Sequence, residues 1–366
     1  MGKTLAYLYL FSLSFGISFI SIPLMKRLAR RFRVLDLPGP RKVHQEPVPL
    51  LGGGAVVLSF VLAVGINFFL LLWLGKNGIL GAMIPWLKGQ YPLALALGHR
   101  LILILASAIL IFVLGVADDM IGVGFDYRLK FIVQFALATT LTFSGVTIDA
   151  FHYWWLNRLV TVLWIVGITN AFNLLDNMDG LSSGVAILAG GIFFVVAYQQ
   201  GELFIALTLA ALVGAILGFY PYNFPRSSIF LGDGGSLFIG FLLGVLTVVE
   251  SYVTSHTPTI FPVVLPLLVL SLPLFDTFSV ICIRFCEKRP LFVGDKSHLS
   301  HRLVTLGLTQ RQAVLCVYLF TLILGINALL LEQLTTTGCL IVLGQGFLII
   351  TLISIFMVVG ARKGRD

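Results

Sequence analysis

The chain is poor in charged residues. Of its 366 residues, 11% are Asp, Glu, Lys or Arg, whereas 58% are hydrophobic. A soluble domain carries about 25% charged residues, so this composition excludes an ordinary soluble protein. It predicts an all-α polytopic membrane protein, folded as one integral-membrane domain over residues 1–366.

Cysteine is scarce as well. Cys282, Cys286, Cys316 and Cys339 form no C-x-x-C pair and lie in or beside apolar runs. This placement favours small buried hydrophobic side chains over a metal or redox motif. The net charge of +8 does not indicate nucleic-acid binding, because the basic residues follow a pattern of membrane topology.

Long hydrophobic runs are plentiful. About 20 apolar residues cross a bilayer as a helix, and windows of that length predict eleven spans. The first is predicted to be retained in the mature protein rather than cleaved as a signal peptide. The spans cover residues 5–25, 50–74, 99–117, 129–147, 158–175, 184–200, 203–220, 234–250, 259–283, 312–331 and 337–360.

The Lys and Arg residues orient these spans. With the N-terminus outside, 19 of the 24 Lys and Arg residues fall in cytoplasmic segments and the other five fall outside. Cytoplasmic loops carry the excess of positive charge, so the count predicts an outside N-terminus and a cytoplasmic C-terminus. The polar motifs described next then share the cytoplasmic face.

Acidic residues concentrate at the ends of spans. A charge facing hydrocarbon costs roughly 2.5–3.5 kcal/mol, so such carboxylates are expected where a cation neutralises them. Asp118 and Asp119 repel each other unless a cation or proton intervenes, and hard oxygen ligands of this kind suit Mg²⁺ or Mn²⁺. Lys130, on the next predicted helix, either meets a phosphate or is an ordinary interfacial lysine.

A second motif advances in steps of three through Asn170, Asn173, Asp176 and Asp179. On a continuing helix these side chains drift slowly along one face. One interpretation is a row of caps and turns, since Asp179 and Gly180 form a favourable turn pair. The other is a functional site, because two Asn inside an apolar span are costly without partners.

A glycine-rich motif, Gly232-Asp233-Gly234-Gly235-Ser236, opens the eighth span. Glycines let backbone N–H groups approach an oxyanion, and a helix N-terminus favours anions. Asp233 is therefore either the N-cap of this helix or a metal ligand beside bound phosphates.

The loop after the ninth span is rich in cationic donors. His298, His301 and Arg302 match the geometry of a diphosphate; the alternative is zinc ligation by the two His, without a nearby thiolate or third His. Asp276, near the end of that span, is a candidate partner for a basic residue of the loop. In the first cytoplasmic loop, Arg41 and His44 belong either to a positive-inside anchor or to the site.

Taken in order, these motifs resemble the polyprenyl-phosphate N-acetylhexosamine-1-phosphate transferases over roughly residues 36–312. The resemblance is nearer to the branch that starts O-antigen, enterobacterial common antigen and wall teichoic acid synthesis than to the branch of phospho-MurNAc-pentapeptide translocase. It implies a multi-pass enzyme of the bacterial inner membrane that uses Mg²⁺ or Mn²⁺. Its expected reaction moves an N-acetylhexosamine-1-phosphate, by default GlcNAc-1-phosphate, from a UDP-sugar to undecaprenyl phosphate and releases UMP. A homodimer is compatible with the family.

The resemblance also assigns roles to residues. It gives catalysis to Asp118, Asp119, Asp176 and Asp179, and metal binding to Asp233 together with Asp119. Together with the chemistry of the motifs, it predicts substrate binding by Arg41, His44, Lys130, Asn170, Asn173, Gly234, His298, His301 and Arg302.

Two positions depart from the family pattern. Ser300 stands where the family often has a His run, and Asn177 replaces a frequent Gly. A secondary transporter of an anionic solute and a lipid-phosphate phosphatase are the alternative functions. We find no convincing internal repeat, and the acids lie at span ends rather than at the midplane, which favours the transferase.

Overall fold

The computed structural model describes residues 2–38, 46–250, 252, 257–288 and 297–363. The predicted roles of Arg41 and His44 therefore concern residues outside the described part of the chain. Within that part nearly all regular structure is helical. The α-helices are α1 (Gly2–Phe32), α2 (Gly52–Lys76), α3 (Leu80–Met83), α4 (Pro85–Lys88), α5 (Tyr91–Ile121), α6 (Tyr127–Phe143), α7 (Trp154–Leu175), α8 (Leu181–Gln200), α9 (Leu203–Phe219), α10 (Gly232–Val249), α11 (Leu265–Val269), α12 (Ser271–Cys286), α13 (Leu299–Thr305), α14 (Gln310–Leu330) and α15 (Thr336–Lys363).

The remaining regular structure is small. An antiparallel pairing of two residues each joins β1 (Leu35–Asp36) to β2 (Val48–Pro49). Short 3₁₀ segments occur at Gly122–Gly124, Tyr220–Tyr222 and Phe261–Val264. The β1–β2 pairing brings the chain after α1 back to the start of α2.

The predicted spans correspond to helices of the structure. Nine of the described helices are long and apolar enough to cross a membrane, or up to ten if one bent pair counts as a span. The fourth predicted span is α6, whose 17 residues extend about 25 Å at 1.5 Å per residue and fall short of a full crossing. The all-α polytopic fold is confirmed, whereas the side on which each terminus lies stays a prediction.

The ninth predicted span is broken rather than continuous. The segments Phe261–Val269 and Ser271–Cys286 meet at an angle of 66°. Pro273 explains the break, because it has no N–H to donate to the carbonyl of Val269 four residues earlier. The chain thus changes direction in the middle of an apolar run.

Helix α10 lies at the centre of the bundle. Every residue from Gly234 to Thr247 is buried, against α2, α5 and α7. A Cβ on Gly115 of α5 would lie 2.5 Å from the Cα of Gly234, and a Cβ on Gly53 of α2 would lie 2.2 Å from the Cα of Gly235. The backbones therefore meet directly, which brings the start of α10 beside the end of α5.

The expectation that all four cysteines are buried is wrong for two of them. Cys339 is buried and Cys316 is partly buried, but Cys282 and Cys286 are exposed. Both lie on a face of α12 that also exposes Phe285. This face is apolar and suited to lipid, so a cysteine there need not be covered by protein.

A buried acid lies at the end of α10 opposite the glycine-rich motif. Glu250 is 4% exposed, and its Oε2 accepts a hydrogen bond from the Tyr252 hydroxyl at 3.0 Å. Burial, with added repulsion from Glu332 and Glu202, raises the pKa of Glu250 from 4.5 to about 8. The folded protein therefore holds the proton of this carboxyl across the neutral range.

We expect the protein to lose stability as the pH rises from about 4.5 to about 8. In this window the unfolded chain has released the Glu250 proton while the folded chain still binds it, so the folded state is progressively disfavoured. Glu250→Gln removes this titration and should flatten the dependence. Thermal unfolding midpoints in detergent across that range measure it, with Asp149→Asn, an exposed acid, as the control. An unchanged slope in Glu250→Gln would contradict the assignment.

Candidate active site

Lys130 is the hub of a polar cluster formed by the ends of four helices. Its Nζ donates to Asp118 Oδ2 at 2.7 Å, to Asp233 Oδ2 at 2.8 Å and to Asn173 Oδ1 at 3.1 Å. The Nδ2 of Asn173 donates in turn to Asp233 Oδ1 at 2.9 Å and to Ser236 Oγ at 3.0 Å. Four residues predicted for the site from separate spans thus contact one another directly.

Asp119 binds the first turn of α10. Its Oδ1 accepts from the N–H of Asp233 at 3.0 Å, and its Oδ2 accepts from the N–H of Gly234 at 3.2 Å. Gly232, at φ +75°, makes the turn that presents these donors. A side chain of α5 therefore accepts these N–H groups, and α10, which has no side-chain cap of its own, is capped by another helix. A substrate contact of Gly234 and a metal contact of Asp119 stay predictions.

Negative charge is in excess at this cluster. Asp176 follows the last residue of α7, and burial, followed by the charges of Asp233, Asp119 and Asp179, raises its pKa well above the usual range. The ammonium of Lys130 contacts the carboxylates of Asp118 and Asp233, and the acidic groups of Asp119 and Asp176 lie close enough to Asp233 to interact with its charge. Such an arrangement favours a further cation or a bound proton.

The other members of the Asn/Asp series have different partners. Asn170 donates to Gln134 Oε1 at 2.5 Å and to the carbonyl of Val166 at 2.8 Å, one helical turn from Asn173. Asp179 Oδ2 accepts from the backbone N–H of Ser227 at 3.0 Å and so anchors the segment between α9 and α10. The series is therefore divided between the cluster and its supporting loop.

The histidine loop is anchored by Asp276. Its Oδ2 lies 2.7 Å from Nδ1 of His298, and its Oδ1 accepts from the N–H of Leu299 at 2.7 Å. Both Asp276 and His298 are buried. The predicted pairing of Asp276 with a basic residue of the loop is thus present, and it fixes the His298 ring at the start of α13.

Arg302 points to backbone carbonyls. Its Nε donates to the carbonyl of Ser297 at 2.9 Å, and its Nη1 donates to the carbonyl of Met357 in α15 at 3.1 Å. The ring of His301 lies 6.5 Å from that of His298, centroid to centroid. Substrate binding by His298, His301 and Arg302 stays a prediction, and for Arg302 a tether between α13 and α15 is the observed contact.

The two departures from the family pattern contact each other. The Ser300 hydroxyl donates to Asn177 Oδ1 at 2.7 Å, and Ser300 is 2% exposed. Ser300 thus has a small hydroxyl at a position where the family often has His, and Asn177 has an amide at a position where the family often has Gly. This hydrogen bond links the histidine loop to the Asn/Asp series.

The cluster is accessible and suits a hard cation. The side chain of Asp233 is 37% exposed to solvent and that of Asp118 is 19% exposed, so a soluble ligand can reach both. Among the described residues no three His, Cys, Asp or Glu side chains form a ready metal cage. Mg²⁺ often binds through only one or two carboxylates plus substrate phosphates, and the carboxylates of Asp118 and Asp233 already converge on one cation, the ammonium of Lys130.

Sequence reasoning did not assign three residues that support the site. Gln134 bonds Asn170, and its position four residues after Lys130 on one helix face was the available signal. Ser236 bonds Asn173 and belongs to the glycine-rich motif. Asn223 accepts from the N–H of Gly180 at 3.1 Å and from the Ser183 hydroxyl at 2.9 Å, and no sequence pattern pointed to it.

The fold and the cluster place the chain among integral-membrane proteins with a polar site at the ends of several helices. Residues 101–251 match the family model described as glycosyl transferase family 4. This range contains the whole cluster around Lys130, whereas the histidine loop lies beyond it.

The chain is similar to proteins with related names over most of its length. It is 33% identical to the "Probable undecaprenyl-phosphate N-acetylglucosaminyl 1-phosphate transferase" of Bacillus subtilis, covering 86% of this chain and 82% of the relative. It is 29% identical to the "Decaprenyl-phosphate N-acetylglucosaminephosphotransferase" of Mycolicibacterium smegmatis, covering 85% and 79%. It is 31% identical to the "Phospho-N-acetylmuramoyl-pentapeptide-transferase" of Geobacillus thermodenitrificans, covering 65% and 73%. The chain belongs to the polyprenyl-phosphate N-acetylhexosamine-1-phosphate transferase family.

The Ser300–Asn177 contact predicts coupled substitutions. Ser300→His alone should lower the thermal midpoint, because overpacking a filled site costs about 1–3 kcal/mol. Asn177→Gly should relieve that cost when the two changes are combined. A double-mutant cycle on thermal stability measures a coupling of about 0.5–3 kcal/mol. Effects that add within about 0.5 kcal/mol would show that the two sites are independent.

Proposed function

We propose that the protein transfers N-acetylhexosamine-1-phosphate, with GlcNAc-1-phosphate as the first candidate, from a UDP-sugar to undecaprenyl phosphate and releases UMP. The observation that carries the proposal is the hydrogen-bonded cluster of Asp118, Lys130, Asn173 and Asp233 at the ends of α5, α6, α7 and α10. The names of the relatives support the lipid acceptor and the amino sugar. The product would start a cell-envelope polysaccharide.

The two substrates differ strongly in polarity, and an interfacial site suits both. The acceptor is a phosphate on a long apolar chain that stays in the bilayer, whereas the nucleotide sugar is water-soluble. They can meet only where hydrocarbon ends and water begins, which is where span ends form the cluster. The excess of Lys and Arg in the adjoining segments supports the cytoplasmic face of a bacterial inner membrane.

The reaction is a phosphoryl transfer with one bond made and one broken. An oxygen of the lipid phosphate attacks the β-phosphorus of the donor, and the bond from that phosphorus to the bridging oxygen breaks, so that UMP leaves with that oxygen. Such reactions depend on positioning and charge neutralisation more than on covalent help from the protein. We favour this direct attack over a covalent aspartyl-phosphate.

Asp118 is the best-placed proton acceptor. The second pKa of a phosphate monoester is near 6, so the acceptor can arrive with one proton to lose. Both oxygens of Asp119 already accept backbone N–H bonds, whereas Asp118 is partly exposed and bonded to Lys130. Asp118 would take the proton, and Lys130 would hold a phosphate oxygen of the substrate in place.

The remaining residues are proposed to bind the donor. Asn170 and Asn173, with Asp176 and Asp179 beyond them, would line the nucleotide side of the cleft. His298 and His301 would contact the diphosphate or sugar, with the ring of His298 oriented by Asp276. Arg302 would act mainly by fixing this loop against α15.

A divalent cation is part of the proposal. Asp233, together with Asp118 or Asp119, would hold Mg²⁺ or Mn²⁺, with substrate phosphates completing its ligands. When bound, the ion would neutralise charge on the diphosphate. The excess of carboxylates over ammonium at the cluster supports this requirement.

The decisive experiment measures UMP release by purified protein in detergent with Mg²⁺, undecaprenyl phosphate and UDP-GlcNAc. UMP should appear only when the lipid phosphate is present. Asp118→Asn should lower the rate about 10²–10⁴-fold, the usual contribution of a general base. Asp149→Asn, an exposed acid away from the cluster, serves as the matched control.

Each outcome of this experiment is informative. UMP release that does not need lipid phosphate would contradict the transferase and indicate hydrolysis. Release from UDP-GalNAc alone would keep the reaction and change the sugar. No release from any UDP-N-acetylhexosamine would overturn the proposal.

The metal assignment predicts a specific defect in Asp233→Asn. Loss even of an outer-shell partner costs about 10–100-fold in metal affinity, so the Mg²⁺ concentration for half-maximal UMP release should rise at least about tenfold. Asp179→Asn, which alters a carboxylate that contacts the backbone of Ser227 rather than Lys130, should lower activity without moving that concentration. An Mg²⁺ titration that is the same in Asp233→Asn and wild type would remove Asp233 from the metal site.

A further inference from the structure

A cavity of about 470 Å³ lies between α1, α2, α5 and α9, roofed by the short helices α3 and α4. Its size is within the range of about 300–1,000 Å³ typical of ligand sites. The lining is almost wholly apolar, with residues such as Leu10, Phe60, Leu101 and Ile104. The proposed reaction uses none of these residues.

The cavity lies at the membrane face opposite the carboxylate cluster. Arg100 lines it and is 18 positions before Asp118 on α5, which is about 27 Å along the helix axis. That distance approaches the thickness of the hydrocarbon core, about 30 Å. Exposed Trp154 and Trp155, 68% and 52% accessible, mark the same level, as aromatic residues do at a membrane interface.

Arg100 is the second residue of the predicted span 99–117 and was counted among the five Lys and Arg residues on the outer side. The helix begins instead at Tyr91, which places Arg100 in the third turn of α5. Among the described residues that line the cavity, Arg100 is the one charged residue. The lining contains no Asp or Glu. The buried Nε of Arg100 has no hydrogen-bond partner in the described part of the chain.

The setting of Arg100 differs from that of the neighbouring Arg158. The guanidinium of Arg158 lies over the rings of Phe143 and Trp154, at 4.5 and 4.9 Å from their centroids. The guanidinium of Arg100 instead packs closely against Gly145 in the turn after α6. A Cβ added at Gly145 would lie 2.6 Å from Nη2 of Arg100. A guanidinium beside an apolar cavity is costly without an anion.

We propose that this cavity binds an anionic phospholipid, whose phosphate pairs with Arg100 and whose acyl chain occupies the apolar volume. A planar guanidinium is the preferred partner of phosphate oxygens. A free phosphate would leave the apolar lining unfilled. A zwitterionic lipid would bring an ammonium group to a cavity that has no acid to receive it.

Native mass spectrometry of the purified protein with phosphatidylglycerol, and with phosphatidylcholine for comparison, tests the site. Wild type and Arg158→Gln should retain phosphatidylglycerol and gain thermal stability from it. Arg100→Gln should bind phosphatidylglycerol at least about tenfold more weakly than wild type, because a charged hydrogen bond is lost. Arg100→Lys keeps the charge and should recover part of the binding, which separates the loss of a ligand from misfolding.

Each of the following results would overturn the proposal. Arg100→Gln could bind phosphatidylglycerol as tightly as wild type does. Arg158→Gln could lose as much phosphatidylglycerol binding as Arg100→Gln. Phosphatidylcholine or inorganic phosphate could stabilise the protein as much as phosphatidylglycerol does. Ala6→Trp, which fills the cavity and leaves Arg100 in place, should also reduce binding. If a second copy of the chain covered the cavity instead, Ala6→Trp would split a dimer and leave lipid binding unchanged.

Discussion

The capping of one helix by a carboxylate from another is the interaction on which the site depends. Asp119 of α5 accepts the first N–H groups of α10, and Asp276 of α12 accepts the first N–H group of α13. Neither capped helix has a side-chain cap of its own. Each contact satisfies donors that are costly to leave unpaired near a membrane, and each fixes a motif that is distant in sequence.

The carboxylates therefore divide between support and chemistry. Asp119, Asp179 and Asp276 are occupied by backbone donors, which holds α10, the segment before it and the histidine loop in place. In the described part of the chain, the carboxylates of Asp118 and Asp233 accept hydrogen bonds from the side chain of Lys130, and that of Asp233 also from Asn173. Both carboxylates remain accessible. A cluster in which acidic groups outnumber basic ones can persist at an accessible site because water, a proton or a cation reaches it.

The Asn/Asp series shows how far sequence reasoning reached. Its spacing of three suggested either one functional face of a helix or a row of turns, and the structure contains both a helical part and a turn, whereas the function of the series stays a prediction. Helix α7 ends at Leu175, so Asn170 and Asn173 face the cluster from the helix, whereas the chain turns at Asp179 and at Gly180, with φ +73°. Where a helix ends depends on what packs against it, and spacing alone does not contain that information.

Composition and apolar runs determined the membrane fold, the positions of the helices and the residue types of the site, because these depend on the local cost of burying charge. Only the tertiary structure decided that Lys130 joins Asp118 to Asp233, that Asp119 serves as a cap, and that Ser300 pairs with Asn177. It also placed Arg100 beside an apolar cavity. These contacts join residues from different helices, and which helices adjoin is decided by close packing, such as that of Gly115 on Gly234.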